Sequence, residues 1–230
     1  MTWVLRGLLG AGGAVLALVA WPVANGAWQA QKADRVLNDL RTDQPLRLDE
    51  VETALAALDR AVAADPVAGR RLGRSELAAG AAVNASLNAP RQQRTDWMKQ
   101  AQGDLDFGLA NAPARGVAWA RLAAARQFLE GTSARVVAAV MMSIDTAPAM
   151  EALWPARLQM ILDNWQYFTP KERERIAAYV AMTWRMSPFK RPFAEVIRSP
   201  IDELFVRYFI RDEPKAQEEL TEWLTRLRKK

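Results

Sequence analysis

The sequence predicts an all-α protein in which an N-terminal transmembrane helix precedes a domain of stacked helix pairs, an α-solenoid. No charged residue occurs between residues 7 and 28. After this run, apolar residues recur every three to four positions or so, which is the period of a helix that buries one face. The alternation of period two that marks a half-buried strand is missing. These observations together define the predicted fold class.

The uncharged N-terminal run is long enough to cross a bilayer, because a helix of roughly 20 residues spans a hydrocarbon core about 30 Å thick. Trp3 precedes this run, and Trp21 and Trp28 lie towards its far end. Trp side chains favour the headgroup level of a membrane. The lipid bilayer is therefore expected to contact residues 7–28. The predicted membrane-anchor residues are Gly7, Leu8, Leu9, Val15, Leu16, Leu18, Val19, Trp21 and Trp28.

Two alternatives stay open for this segment. A cleaved signal peptide would have a shorter apolar region, of roughly 7–15 residues, and a more basic start than Arg6 provides. A cut after the small residue Gly26 would fall in a polar and bulky context. A buried core helix is the other alternative, although so long an uncharged run at the start of a chain favours a membrane anchor.

The membrane orientation depends on two opposing rules. Lys32, Arg35 and Arg41 follow the run and only Arg6 precedes it, which favours a C-terminal domain on the inner side. Large domains, however, cross membranes largely regardless of charge. A short anchor with a long tail is a common bacterial export arrangement. We therefore expect a single-pass protein of the bacterial inner membrane with its main domain in the periplasm.

The composition excludes several classes of active site. The chain has no Cys and no His, so disulfides, thiolate or imidazole metal sites and Ser-His-Asp or Cys-His catalysis are excluded. Its formal net charge of +5 is dispersed along helices, without a nucleic-acid-binding motif. We therefore predict a protein that is not an enzyme and does not bind nucleic acid, with no catalytic, cofactor-binding or metal site.

The remaining helices follow from apolar spacing and from breaks at Pro, Gly and Asn. Thr169, Pro170 and Glu172 form a start signal, with a capping hydroxyl, Pro at the first helical position and Glu at the third. Gly131 ends an earlier helix. The predicted helical segments are 30–42, 49–64, 70–87, 95–111, 117–129, 133–145, 149–168, 169–186, 192–198, 199–209 and 214–228.

Proline spacing indicates repeats. Pro66, Pro113 and Pro148 each follow a helix, and the last two are separated by close to the roughly 34-residue period of tetratricopeptide helix pairs. A non-repetitive helical bundle is the alternative. The predicted organisation is an N-terminal flank at 1–6, the transmembrane helix at 7–28, a juxtamembrane helix at 29–45, a tetratricopeptide-like (TPR-like) domain at 46–190 and C-terminal capping helices at 191–230.

Residues 117–197 carry a more particular pattern. It contains Trp-x-x-Leu-Ala from Trp119, Leu-x-x-x-Arg from Leu153 to Arg157, then Trp165 and a helix that starts at Thr-Pro. This pattern resembles the TPR-like, membrane-anchored proteins of bacterial exopolysaccharide and O-antigen assembly systems. The resemblance implies a periplasmic location and a supporting role in polysaccharide assembly.

Four residues are candidates for interaction. Arg157 lies in an apolar helix and is expected to pair with Asp163 or Glu151, or to reach an anionic ligand. Trp165 belongs to a set of tryptophans that either pack in the core or line a sugar-stacking groove; the others are Trp119, Trp154 and Trp184. Arg226 and Arg228 end the last helix, which either caps the domain or lies on an anionic membrane surface.

Paired carboxylates raise one catalytic alternative. Two carboxyl groups about 5–10 Å apart across a cleft would suit glycoside chemistry. The pairs stand at helix starts or beside basic residues, where capping and solvated ion pairs account for them. They are Glu172 with Glu174, Asp202 with Glu203, and Glu218 with Glu219.

The functional expectation is a non-catalytic, membrane-anchored scaffold that supports envelope polysaccharide assembly or export. Its expected partners are other membrane or envelope proteins. The alternative is an accessory subunit of a larger integral membrane complex, held there by its transmembrane helix. A glycan-active enzyme is the third and least favoured hypothesis.

Overall fold

The computed structural model describes the backbone of residues 2–229 and the side chains of residues 13 and 15–229. Within these residues, α-helices and three single 3₁₀ turns form all of the regular secondary structure, and no strand is present. The prediction of a helical, repeat-like, all-α fold is confirmed. The chain divides into two compact units, the first ending at Pro113 and the second beginning at Ala114. The predicted boundaries at residues 45 and 190 fall inside these units.

The first unit is built around a helical hairpin. Its helices are α1 (Thr2–Gln31), α2 (Asp34–Arg41), α3 (Leu48–Ala64), α4 (Ala68–Val83) and α5 (Arg91–Asn111). Helices α4 and α5 pack along their length, α3 covers α4, and α2 contacts both α3 and α4. Leu77 and Leu105 are fully buried, because the inward positions of each helix recur at the helical period.

A buried ion pair joins the two helices of this hairpin. The guanidinium of Arg74 on α4 donates two hydrogen bonds of 2.7 Å to the carboxylate of Asp104 on α5. Asp104 is 2% exposed, so its charge needs this partner. The hydrogen bonds to Asp104 raise the pKa of Arg74, although burial opposes this effect. The pair therefore fixes how α4 and α5 lie against each other.

The N-terminal segment is the main correction to the sequence-based prediction. No helix among the described residues has a stretch that is both long and apolar enough to span a bilayer. The transmembrane helix predicted at residues 7–28 is therefore wrong, and so is the single-pass inner-membrane location that depended on it. The side chains of Gly7, Leu8 and Leu9 lie outside the described residues. The other predicted anchor residues are exposed on α1; they are Val15, Leu16, Leu18, Val19, Trp21 and Trp28.

The C-terminal part of α1 belongs to the packed first unit. Gly26 is buried, and a Cβ atom at this position would meet the guanidinium of Arg70 and the carbonyl oxygen of Ala61. Arg70 also donates a 2.9 Å hydrogen bond to the carbonyl of Val23. Thus α1 packs against α3 and binds a basic side chain through its backbone. The C-terminal end of the uncharged run therefore packs against other helices of the protein. The absence of charged residues does not distinguish such packing from contact with lipid.

The second unit contains seven helices among the described residues. They are α6 (Gly116–Glu130), α7 (Ala134–Thr146), α8 (Trp154–Asp163), α9 (Pro170–Met186), α10 (Arg191–Val196), α11 (Pro200–Phe209) and α12 (Pro214–Arg228). Helices α6 and α7 form a second hairpin, α8 packs on α7 and α10, α9 on α11, and α10 on α12.

Side chains define the starts and ends of these helices. Gly131 ends α6 with a φ of 77°, a left-handed conformation that favours glycine. Ser133 caps α7 by accepting the amide of Val136. Thr169 and Glu172 form the capping box of α9 that the sequence predicts. The predicted end of α6 at Gly131 and the predicted start of α9 at Thr169 are therefore confirmed.

Two predicted helices are shorter than their apolar patterns suggest, and each is interrupted at an asparagine. The segment predicted at 70–87 ends as α4 before Asn84, whose side chain accepts the amide of Ser86. The segment predicted at 149–168 divides at Asn164 into α8 and a 3₁₀ turn. Asn164 is buried, and its side chain accepts a hydrogen bond from the Ser133 amide and donates one to the Met160 carbonyl. Asparagine side chains compete with the helical backbone in this way.

The close approach of α6 to the end of α7 gives a test of the packing. A Cβ atom at Gly116 would lie closer to the Cβ of Ala147 than real atoms approach. We expect Gly116→Ala to destabilise the protein by about 1–3 kcal/mol, because neither backbone can yield cheaply. Differential scanning calorimetry measures the change.

Gly103 on α5 is the matched control, since a Cβ there meets no atom within 4 Å. Gly103→Ala should stabilise the helix by up to about 1 kcal/mol. Equal effects of the two substitutions would contradict the close approach at Gly116.

Candidate functional site

An exposed apolar stripe lies along α11 in the second unit. Ile201, Leu204 and Tyr208 are 63%, 66% and 45% exposed, and their spacing places them on one face of the helix. The opposite face buries Val206 and Phe209 in the core. Helix α11 therefore has apolar residues on both sides, which is typical of a helix that packs against protein on both sides. We call Ile201, Leu204 and Tyr208 the α11 stripe.

A groove adjoins this stripe and includes its residues Leu204 and Tyr208. It has a volume of about 540 Å³. An aromatic cluster forms its apolar wall: the Trp165 ring lies 5.2 Å from that of Phe205 and 5.1 Å from that of Phe209. Such a wall accepts apolar side chains. We call this cavity the Trp165 groove; its lining residues are Trp165, Arg173, Leu204, Phe205, Arg207 and Tyr208.

Arg173 forms a cationic edge of the Trp165 groove. Its guanidinium lies over the Trp165 ring, 5.0 Å from the ring centre, and donates a 3.3 Å hydrogen bond to the Trp165 carbonyl. Its Nε is buried and finds no acceptor within the described part of the chain. No carboxylate of that part forms an ion pair with it. Stacking therefore holds a charge at the groove that the protein itself does not neutralise.

The second arginine of the groove has a carboxylate partner. Arg207 donates hydrogen bonds of 2.9 and 2.8 Å to Glu203 and further bonds to Gln217 and Thr221 of α12. Arg228 donates to the other oxygen of Glu203. Although burial alone would raise the pKa of Glu203, the hydrogen bonds and charges of Arg228 and Arg207 lower it. This network joins α11 to α12.

Arg157, a predicted interaction residue, is fully buried. It makes five hydrogen bonds, all to neutral oxygens, on Ser143, Ala147 and Tyr179. The expected pairing with Asp163 or Glu151 is not formed. Since Ser143 and Ala147 lie at the C-terminal end of α7, the guanidinium meets the negative end of that helix dipole. Arg157 therefore joins α7, α8 and α9 and is not presented to a ligand.

The other predicted interaction residues are dispersed. Trp165 lines the groove, as described above. Arg228 pairs with Glu203, and the exposed Arg226 pairs with Glu222 at 3.3 Å and lies over the ring of Trp223. Arg157, Trp165 and the C-terminal arginines thus do not form one site.

The tryptophans and carboxylates considered for glycan chemistry have structural contacts. Trp154 and Trp184 are each 1% exposed, which places both in the core. Glu172 and Asp202 complete the capping boxes of α9 and α11. Glu219 accepts a 3.0 Å hydrogen bond from Trp184. Among the described residues no group of acidic side chains is arranged to hold a metal ion.

Reasoning from sequence identified Trp165 but missed the α11 stripe and Arg173. One signal was available for the stripe: apolar residues occur on both faces of the segment from Ile201 to Phe209. Apolar residues on two faces indicate a helix that packs against protein on both of them. No signal in the sequence distinguishes Arg173 from the neighbouring basic residues, because only its stacking on Trp165 does so.

The buried guanidinium of Arg157 gives a stability test. We expect Arg157→Met to destabilise the protein by about 2–3 kcal/mol. The free energy lost with the hydrogen bonds to the charged guanidinium exceeds the free energy gained by no longer burying a charge. Tyr179→Phe removes one of these bonds and should cost about 1–2 kcal/mol. Chemical denaturation followed by circular dichroism measures both changes.

Arg175→Met on α9 is the control, since its guanidinium pairs with Asp145 at the exposed surface and should change stability by no more than about 0.5 kcal/mol. An Arg157→Met variant as stable as the native chain would contradict the assigned role of the guanidinium.

The network around Glu203 predicts a pH dependence. Its lowered pKa means that the ionised carboxylate stabilises the fold above the ordinary value of 4.5, and that this contribution is lost as the pH falls through the folded-state pKa. Glu203→Gln should cost up to about 1 kcal/mol at pH 7, the scale of solvent-screened pairs, and less near pH 3. Thermal melts at several pH values measure the difference.

Glu218→Gln on α12 provides the matched control, because this carboxylate is exposed to solvent. Its substitution should change stability little at any of these pH values. A pH-independent difference between the native protein and the Glu203→Gln variant would contradict the prediction.

Comparison of the chain with protein-family models, with curated proteins and with solved structures gives no match. The chemistry of the site therefore follows from its own residues. An apolar stripe, an aromatic wall and a stacked guanidinium are suited to binding a partner.

Proposed function

We propose that this chain is a non-catalytic scaffold that docks another protein on the α11 stripe and the Trp165 groove. The observation that carries the proposal is the exposure of Ile201, Leu204 and Tyr208 on a helix whose other face is fully packed. Covering a large apolar side chain stabilises a complex by about 1.5–3 kcal/mol in the limit of full burial. The stripe is thus a substantial source of binding free energy.

The composition of the site also supports protein docking. Binding hot spots are enriched in Trp, Tyr and Arg, which combine a large contact area with hydrogen-bonding groups. Trp165, Tyr208 and Arg173 bring these three residue types together. The rigid helices behind them reduce the ordering cost of association.

The resemblance of residues 117–197 to TPR-like proteins supports a more specific proposal. We propose that the docked protein belongs to a bacterial polysaccharide assembly system. The α6/α7 hairpin, with Trp119 and Leu122 in its first helix and Gly131 at its turn, supports the TPR-like assignment. The alternative of a subunit held by a transmembrane helix is dropped, because no described helix can span a membrane.

Site-specific crosslinking tests the docking function. A photo-crosslinking amino acid replaces Leu204 in the full chain, and Glu195, exposed on α10, is the control position. We expect Leu204 to crosslink in cells to one defined protein, identified by mass spectrometry as part of polysaccharide assembly. Glu195 should not crosslink to it.

Purified components complete the test. The identified protein should bind the purified native chain directly, and Leu204→Ser should weaken binding about tenfold or more, the effect of a hot-spot residue. Equal crosslinking from both positions, or equal affinity of native chain and variant, would argue against docking at this site. A partner outside polysaccharide assembly would overturn that part of the proposal only.

A further inference from the structure

We infer that the segment held by the Trp165 groove is an acidic amphipathic helix, whose carboxylate pairs with Arg173 while its apolar side chains cover the α11 stripe. The inference rests on the proposed docking function and adds the chemistry and shape of the bound segment.

The charge of the partner follows from the arginines around the groove. Arg207 and Arg228 share Glu203, and Arg211 lies 3.6 Å from Asp212. Arg173 makes a backbone hydrogen bond and a ring contact, but within the described residues no carboxylate pairs with it. The groove therefore has a cation whose charge is available to a partner. A carboxylate is the complementary group, and it is bound by guanidinium groups through paired hydrogen bonds.

The position of Arg173 strengthens such a pair. Its guanidinium is stacked on Trp165, so little side-chain freedom is lost when a carboxylate binds. Trp165 and Phe205 wall the same groove, and an apolar segment seated there would exclude water. Charge-assisted hydrogen bonds gain strength when the local dielectric falls. Apolar and acidic contacts on one partner would thus reinforce each other.

The shape of the partner follows from the spacing of the stripe. Ile201, Leu204 and Tyr208 extend over two helical turns, about 10 Å at the rise of an α-helix. A helix packed along α11 presents its own apolar residues at matching intervals and interdigitates with this row. Helix-in-groove recognition uses anchors at i, i+3, i+4 and i+7, and Ile201, Leu204 and Tyr208 have this spacing, whereas strand addition needs a sheet edge and the described residues contain no strand. A helix is therefore the form that the stripe accommodates.

A second copy of this chain is a poorer occupant. A two-fold symmetric contact across the stripe would bring the same patch of each molecule together. Each patch carries the unneutralised guanidinium of Arg173, and the whole chain has a formal net charge of +5. Like charges at an interface oppose association. Charge complementarity thus favours an acidic partner over self-association.

Binding of synthetic peptides to the full chain tests the inference. The probe is a short fluorescein-labelled helical peptide with Leu and Phe along one face and Glu beside them. Two matched peptides carry Gln or Lys in place of Glu. We expect fluorescence anisotropy to show the Glu peptide binding about tenfold or more tightly than the Gln peptide, and the Lys peptide most weakly.

Variants of the chain assign the preference to Arg173. Arg173→Gln should lower the affinity for the Glu peptide about tenfold and leave that for the Gln peptide nearly unchanged, which isolates the carboxylate contact. Arg173→Lys keeps the charge without the paired hydrogen bonds and should lie between. Arg175→Gln, two residues away on the exposed surface, should change neither affinity more than about twofold. Leu204→Ser should weaken the binding of all three peptides.

The opposing outcomes separate this inference from the docking function. Equal binding of the three peptides, all weakened by Leu204→Ser, would overturn the acidic preference and leave apolar docking intact. If no peptide binds, the inference that the partner segment is an acidic helix is wrong. The docking function would still be tested separately by crosslinking from Leu204. If sedimentation shows a dimer of the native chain that Leu204→Ser converts to a monomer, the occupant is a second copy and the inference is wrong.

Discussion

The buried guanidinium of Arg157 is the constraint on which the second unit depends. A charge enclosed in protein requires a full set of hydrogen-bond partners, and here these are the end of α7, the hydroxyl of Ser143 and the phenol of Tyr179. Ser143 in turn donates to the carbonyl of Gly116 at the start of α6. One side chain therefore sets the arrangement of four helices. Helix α9 carries both Tyr179, which binds Arg157, and Arg173, which lines the groove, so this framework also positions one side of the groove.

The groove owes its existence to an interruption in the chain. An uninterrupted helix from 149 to 168 would give Trp165 a different direction. The Asn164 side chain instead accepts a hydrogen bond from the Ser133 amide and donates one to the Met160 carbonyl. The α-helix ends there, and a 3₁₀ turn begins at Trp165. The ring then meets Phe205 and Phe209 of α11 and supports the guanidinium of Arg173. A buried polar residue thus shapes the proposed binding surface by ending a helix early.

The α11 helix divides its apolar residues between the core and the exposed stripe. Val206 and Phe209 bury themselves in the unit, and the capping box of Ser199 and Asp202 fixes the start of the helix. The stripe on the other side is largely exposed, and the proposed partner would remove this apolar surface from water. A helix with one satisfied face and one unsatisfied face is a rigid platform, and rigidity lowers the entropy lost on association.

The all-α class, the start of α9 at Thr169 and Glu172 and the end of α6 at Gly131 could all be predicted from the sequence, because they depend on contacts within a few residues. The composition also excluded imidazole and thiol chemistry, since the chain has neither His nor Cys. The N-terminal run was misjudged, because its lack of charge was consistent with lipid although its far end packs on protein at Gly26. The covered apolar faces, the interruption at Asn164 and the arginine that lacks a carboxylate became visible only in the folded chain. Periodicity shows that a helix has an apolar face, whereas the identity of its neighbour depends on contacts between residues far apart in the chain.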